Sequence, residues 1–303
     1  MMSKEYCGYI SLIGKPNVGK STILNSILNK KISITSRKAQ TTRNNILGIK
    51  TDRNKQMIFI DTPGMHIKSQ KTMNKILNRS AQSIIDDSDI ILYVIQRRNF
   101  DDNDKLILKK LKDSDQKVIC VINKTDQIGN KDKLLPFIEM ISSNYKFDEI
   151  ILISAKTNHG VDDLLSIIKK NIPENPHIYS DNLDYKKDNK RFIYSELIRE
   201  KIIRRLGDEL PHDTFVEVDK IDDENKITKV YATIYVNRKS QKQIVIGSDG
   251  GVLKKIGEQA RLEIEKQINK KVFLKTWVKV KKNWNTDSGF IQSLGVGSNY
   301  ESN

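Results

Sequence analysis

Gly14-Lys15-Pro16-Asn17-Val18-Gly19-Lys20-Ser21 lies between the apolar run Tyr9–Ile13 and the helically spaced segment Ser21–Leu28. A strand that ends in this pattern and opens a helix is the context in which a glycine-rich loop cradles phosphates. The glycines let the backbone turn until several N–H groups point inward, and the helix N-terminus adds partial positive charge. Gly14 to Thr22 is therefore the candidate phosphate site, with Lys20 reaching the terminal phosphates and the Ser21 hydroxyl offered to Mg2+.

Outward from that loop, apolar strands alternate with helix-like segments. Met57–Ile60, Ile90–Ile95, Val118–Ile122 and Ile150–Ile153 read as strands; Lys71–Ile85, Asp104–Leu111, Leu134–Tyr145 and Val161–Lys170 read as helices. Near-continuous apolar strands between helices predict an α/β fold with a mostly parallel sheet covered on both faces.

Three strand ends add chemistry. Asp61-Thr62-Pro63-Gly64 follows the Met57–Ile60 strand, where a carboxylate can hold a magnesium-bound water and Gly64 can present its N–H to a γ-phosphate. Asn123-Lys124-Thr125-Asp126 follows Val118–Ile122. A carboxylate at Asp126 can accept from guanine N1–H and its 2-amino group, and adenine offers neither donor there. Asn123 serves either the base edge or the phosphate loop, and the Lys124 stem can lie on the purine. Ser154-Ala155-Lys156 follows the next strand, with the Ala155 N–H placed for guanine O6.

Arg37–Arg43 has no apolar period and reads as a loop. It contains Gln40, Thr41, Thr42 and Arg43, and Thr42, with Thr41 beside it as the alternative, is expected to complete the magnesium shell. Met65 stands where many switch GTPases place a glutamine, so unaided hydrolysis is expected to be slow. A K+ ion held by Asn17 and phosphate oxygens is a candidate substitute for an arginine finger.

The alternation stops at Ile172. Two prolines in Pro173–Pro176 and a polar stretch to Lys190 predict a linker over 173–190. Beyond it lie an amphipathic helix (Phe192–Leu206), exposed-face strands (Phe215–Val218, Val230–Val236), the segment Gln243–Ile246 read as strand-like, a helix (Val252–Ile268) and a strand (Val272–Val280). Residues 191–282 read as a smaller α+β domain and 283–303 as a tail. Ile246-Gly247-Ser248-Asp249-Gly250 fits the G-x-x-G loop with which KH modules clamp unpaired nucleotides. Lys254, Lys255 and Arg261 on the following helix extend that candidate RNA site; Trp277 could stack on a base, but a core role is the favoured reading.

The net charge of +15 points to a polyanionic partner, nucleic acid or an acidic membrane surface. Its location matters more than its size: residues 226–282 carry 15 Lys/Arg against 4 Asp/Glu, whereas 183–225 carry 9 against 12. No apolar stretch approaches the roughly 18–20 residues needed to cross a bilayer, and no signal peptide is visible at the N-terminus. Cys7 and Cys120 read as buried free thiols, suited to a reducing cytoplasm.

Taken together, Gly14–Ser21, Arg37–Arg43, Asp61–Gly64, Asn123–Asp126, Ser154–Lys156, Ser195–Lys201, Glu209–His212, Ile244–Gly250 and Trp277–Val280 resemble the Era family of bacterial ribosome-assembly GTPases across nearly the whole chain. The resemblance implies a P-loop Ras-like G domain (1–172) followed by a type II KH domain. It implies GTP hydrolysis with Mg2+ and binding near the 3′ end of small-subunit ribosomal RNA. A switch role in maturing that subunit and peripheral contact with the inner membrane face are implied as well; nothing in the sequence demands a dimer, so a monomer is expected. Asp249 departs from the lysine often found in that loop and would repel phosphates. A GTPase of tRNA modification would be expected to carry a C-terminal reactive cysteine, and no cysteine follows Cys120. A nucleotide-binding RNA chaperone without hydrolysis is disfavoured by Lys20, Ser21, Thr42 and Asp61 together.

Overall fold

The computed structural model describes residues 4–33, 46–64, 81, 83–97, 99–112, 115–129, 134–179, 190–206, 213–284, 287 and 289. Gln40, Thr41, Thr42, Arg43 and Met65, and most of the helix expected over 71–85, lie outside the described residues. The chain forms two compact units, one mainly from Met1–Thr35 and Ala39–Tyr185, the other mainly from Lys186–Gly295.

The first unit contains β1 (Tyr6–Ile13), α1 (Lys20–Leu28), β2 (Ile46–Asp52), β3 (Lys55–Asp61), β4 (Ile90–Gln96), α2 (Asp102–Leu111), β5 (Lys117–Asn123), α3 (Leu135–Asn144), β6 (Glu149–Leu152) and α4 (Val161–Asn171). Its sheet runs β2-β3-β1-β4-β5-β6. All neighbours are parallel except the antiparallel pair of β2 and β3. Every residue of β4 from Ile90 to Ile95 is buried, because helices cover both faces of a parallel sheet. The α2 helix starts where it does because Asp101 caps it: its Oδ1 accepts from Asn103 N–H at 2.8 Å, and Asp104 Oδ2 accepts from Asp101 N–H at 2.9 Å. Ile107, Leu108 and Leu111 then pack on Tyr93, Ile95 and Cys120. From central β1 the chain turns first to β3 and later to β4. The reversal puts a crevice at the carboxyl end of β1, where ligands bind in open α/β sheets.

The β2 strand was not among the expected strands. It is an edge strand whose first three residues are buried and whose last four are half-buried, so no period of two marks it. The expected linker also differs at its start. Residues 173–179 are bonded to the first unit: Pro173 O accepts from Cys7 N–H at 3.2 Å, and buried Gln56 holds Ile178 N–H, Tyr179 N–H and Tyr179 O. Both cysteines are buried and free.

The second unit runs α5 (Lys190–Arg205), β7 (Thr214–Asp223), β8 (Ile227–Val236), α6 (Lys239–Ile246), α7 (Gly251–Ile268) and β9 (Lys271–Val280). Its sheet is β7-β8-β9, antiparallel then parallel. Its core takes Leu197, Ile198 and Ile202 from α5 and Ile256, Ala260 and Ile264 from α7. Gln243–Ile246, read as strand-like, is the last turn of α6. Its Gln-Ile-Val-Ile run has high β propensity, but Gln241 Oε1 caps the helix by accepting from Asn237 and Arg238 N–H. The Gly247–Gly250 loop therefore joins two helices. The 283–303 segment begins on the fold, since Trp284 is fully buried and donates to Asp213 O at 3.1 Å.

Candidate nucleotide and RNA sites

The phosphate loop leaves β1 at Ile13 and enters α1 at Lys20. Gly19 has φ 104°, and a Cβ there would stand 2.2 Å from Asn123 Nδ2, so only glycine fits. Lys20 is buried, donates to Gly14 O and Lys15 O at 3.0 Å each, and burial lowers its pKa to about 8 against the opposing pull of Asp61. Ser21 Oγ donates to Asp61 Oδ2 at 2.6 Å, and Ser33 Oγ donates to the same oxygen at 2.9 Å. Thr62 Oγ1 donates to Leu12 O at 2.7 Å, tying the Asp61–Gly64 loop to β1. A Cβ on Gly64 would come within 2.7 Å of Pro16 N, so the two loops touch along their backbones. A hydroxyl and a carboxylate side by side are hard oxygen donors of the kind Mg2+ takes, and Ser21 with Asp61 fits that ion.

Asn123 joins three loops. Its Nδ2 donates to Val18 O at 3.0 Å, and its Oδ1 accepts from Ala155 N–H at 3.1 Å. Of the two roles open to it, the structure places it as a tether. A guanine O6 would have to share the Ala155 N–H with it. Ser154 Oγ donates to Asp126 Oδ1 at 2.8 Å and so aims the exposed carboxylate. Lys124, at φ 63°, donates to Asn17 O at 2.6 Å and to Gln96 Oε1, and burial lowers its pKa. Lys156 is exposed, and so is Asn17, at φ 66°. Asn123→Ala is expected to strand the Val18 carbonyl and the Ala155 N–H at about 1–3 kcal/mol each. Titration with a fluorescent GTP analogue should show an affinity loss of at least about tenfold; no loss would mean the tether is idle.

Lys15 behaves differently from its neighbours. Its ammonium is paired with Asp101 at 2.8 Å and Asp104 at 2.6 Å, and Tyr93 donates its hydroxyl to Asp104 at 2.9 Å. These carboxylates hold the Lys15 pKa up against the opposing effect of its burial. The side chain thus braces the loop on α2, leaving the Lys15 main chain as the part of this residue that faces the loop. Sequence reading missed this brace, although Asp101-x-x-Asp104 ahead of a helical run was its visible half.

In the second unit, Gly247 (φ 74°) ends α6, a single 3-10 turn spans Ser248–Gly250, and Asp249 sits at φ 51°. Ser248 and Asp249 are exposed. Beside the loop a groove of about 410 Å³ runs between α7 and β9, lined by Gly250, Lys254, Arg261, Leu274 and Thr276 among others. Lys255 is exposed on α7 but lies outside that lining, and Arg261 is paired with Glu265 at 2.8 Å. Trp277, expected in the core, is instead 40% exposed, because odd-numbered residues of β9 face away from the helices.

A phosphate loop, a carboxylate set for guanine and a downstream helix–G-x-x-G–helix unit define a GTPase fused to a KH domain. A family described as 50S ribosome-binding GTPase matches residues 9–124, and the KH domain family matches 209–285. The chain is 44% identical over 294 residues to GTPase Era of Haemophilus influenzae, covering 96% of this chain and 97% of that one. It is 45% identical over 295 residues to GTPase Era of Coxiella burnetii, covering 97% and 99%. Its fold is similar to that of Era in complex with MgGDPNP and nucleotides 1506–1542 of 16S ribosomal RNA, with TM-score 0.92 and 33% identity over 96% of this chain and 99% of that one. A variant of Aquifex aeolicus Era bound to GDP·AlF4− superposes with TM-score 0.90, 33% identity and the same coverage. The chain belongs to the Era family of GTPases.

Proposed function

We propose that this GTPase is a timer for small-subunit maturation: it binds unpaired RNA near the 3′ end of small-subunit ribosomal RNA and leaves when GTP is hydrolysed. The observation that carries the proposal is the pairing, in one chain, of an Asp126 carboxylate aimed by Ser154 with a G-x-x-G turn beside a groove containing Lys254. The solved relative held with a GTP analogue and 16S ribosomal RNA supports the same reading. Residues 1–172 are assigned to nucleotide, 173–190 to the link, 191–282 to RNA and 283–303 to a tail.

Ser21 and Asp61 would hold Mg2+, Asp61 through water, with Thr42 or Thr41 adding a hydroxyl from the switch. When bound, the ion neutralises charge on the β- and γ-phosphates. Lys20 and the loop N–H groups orient the triphosphate, and Gly64 offers a backbone N–H toward the γ-phosphate, so the Asp61–Gly64 loop responds to its loss. Met65 cannot orient water, so unaided turnover is slow. The exposed Asn17 is assigned a K+ ion in that step, and turnover indifferent to replacing K+ by Na+ removes the assignment. The two buried free thiols support a cytoplasmic location. No helix among the described residues is long and apolar enough to cross a membrane, and the net charge of +15 supports peripheral, electrostatic membrane contact; the protein is proposed to act as a monomer.

The test is crosslinking to RNA in cells with sequencing of what is bound, alongside single-turnover GTP hydrolysis with and without that RNA. Enrichment elsewhere than the small-subunit 3′ end would overturn the proposal. Gly247→Asp supplies a second check. Its Cβ would meet Val252 Cγ2 at 2.4 Å, and its charge would face phosphates. RNA affinity should fall at least about tenfold, while GTP turnover of the free protein stays at the wild-type rate.

A further inference from the structure

We propose that the outer face of β9 and β8 is a second surface for unpaired RNA, a base-stacking platform continuous with the groove beside the G-x-x-G loop. Along β9, Lys271, Phe273, Lys275, Trp277 and Lys279 share one face, and all five are exposed. A ring and an ammonium thus alternate at steps of roughly 6.6 Å. Phe273 is 45% exposed and Trp277 40%, unusual for rings of this size on a sheet with a core of its own. They are not loose. Tyr231 of β8 lies between them, with ring centroids 6.1 Å from Trp277 at an interplanar angle of 20° and 6.3 Å from Phe273, edge-on. Lys275 Nζ stands 5.2 Å above the Trp277 ring.

The occupant follows from charge and shape. Lys275 and Lys279 make no ion pair among the described residues, so this face carries uncompensated positive charge beside flat rings. Rings that stack on bases next to lysines that neutralise phosphates are the recurring device for single-stranded nucleic acid. An acidic membrane would also meet lysines and a tryptophan, but here both large rings are packed on Tyr231 rather than each standing alone, which suits a stacking surface. Towards β7 the face carries Glu217, Asp219 and Asp222 with one cation, Lys220, which is paired with Asp222 at 2.8 Å, so an anionic strand is favoured on β8 and β9.

Continuity with the groove gives the path. Leu274 and Thr276 of β9 line the groove, whereas Phe273, Lys275 and Trp277 alternate with them on the opposite face. Because β9 is an edge strand, an RNA chain leaving the groove reaches the rings by crossing a single strand. The inference rests on the chain being an RNA binder but not on the loop itself.

Trp277 supplies its own reporter, since the only other tryptophan, Trp284, is fully buried. The experiment titrates the full chain, as wild type, Trp277→Ala, Phe273→Ala, Trp277→Phe and Gly247→Asp, with a short unpaired oligoribonucleotide and separately with phosphatidylglycerol vesicles. Oligoribonucleotide should quench Trp277 emission in the wild type. Removal of either ring should weaken binding about tenfold, with Trp277→Phe retaining most of the affinity, and Gly247→Asp should shift the quenching curve to higher RNA without abolishing it. RNA binding that leaves Trp277 emission and both alanine variants unchanged overturns the platform and spares the loop. Absence of RNA binding by the wild type overturns both readings. An emission change with vesicles alone reassigns the face to a membrane.

Discussion

Lys20→Ala is expected to abolish tight GTP binding, with affinity falling by about 10² to 10⁴. A buried ammonium making two charge-assisted hydrogen bonds to phosphate contributes about 1.5–3 kcal/mol per bond, and each 1.4 kcal/mol is a factor of ten. The loop's own bonding adds a second reason. Lys20 donates to Gly14 O and Lys15 O, so its ammonium also ties the loop's own carbonyls together. Alanine would leave both carbonyls facing an empty pocket, and the loop would lose its shape as well as its charge. Lys20→Arg should not rescue binding, because a planar fork does not fit a pocket built around a compact ammonium. Calorimetric titration with GTP and Mg2+ checks this directly. An alanine variant within tenfold of wild type would show that the main-chain amides alone hold the triphosphate.

How far the sequence could be read depended on whether a signal was local. Gly14–Ser21 is self-contained: the glycines, the lysine and the strand–helix context all lie within one loop. The central strands were legible because burial on both faces makes them continuously apolar, as in β4 and β5. What failed was set by partners distant in sequence. The β2 strand exists because β3 offers it an edge, and its own pattern is half buried, half wet. The Pro173–Pro176 segment has the composition of a free linker, yet Gln56, more than a hundred residues away, holds its continuation at Ile178 and Tyr179. The brace on the Lys15 side chain was likewise out of reach, because Asp101 and Asp104 lie more than eighty residues away in the chain. Trp277 was misread because its size was weighed above its register, since alternation along β9 already puts it on the same face as Lys275 and Lys279. The α6 helix was hidden by a β-branched run whose cap, Gln241, lies outside it in pattern but inside it in space.

Asp126→Asn should change which base is bound rather than whether a nucleotide binds. Guanine presents two donors, N1–H and the 2-amino group, and a carboxylate accepts both. An asparagine at 126 presents one acceptor and one donor, so against guanine its N–H2 would face the 2-amino group with no acceptor between them. Xanthine has a carbonyl at that position and keeps N1–H, which restores two matched bonds. Ser154 makes the swap clean, because its hydroxyl donates to Oδ1 of residue 126 and can do the same to an amide oxygen, leaving the group aimed as before. Sites built to hydrogen-bond a buried substrate group reject analogues lacking it by about 10⁴–10⁵. Asp126 is exposed, so a fall in GTP affinity of about 10² is the expected result. Xanthosine triphosphate should bind the variant better than GTP does, and adenosine triphosphate should bind neither protein well. The tether through Asn123 is untouched by the change, so the phosphate loop and Mg2+ dependence should stay as in the wild type. Competition titrations with the three nucleotides decide the matter: a variant that still prefers GTP would mean that base selection lies in the Asn123 and Ala155 contacts rather than in the carboxylate.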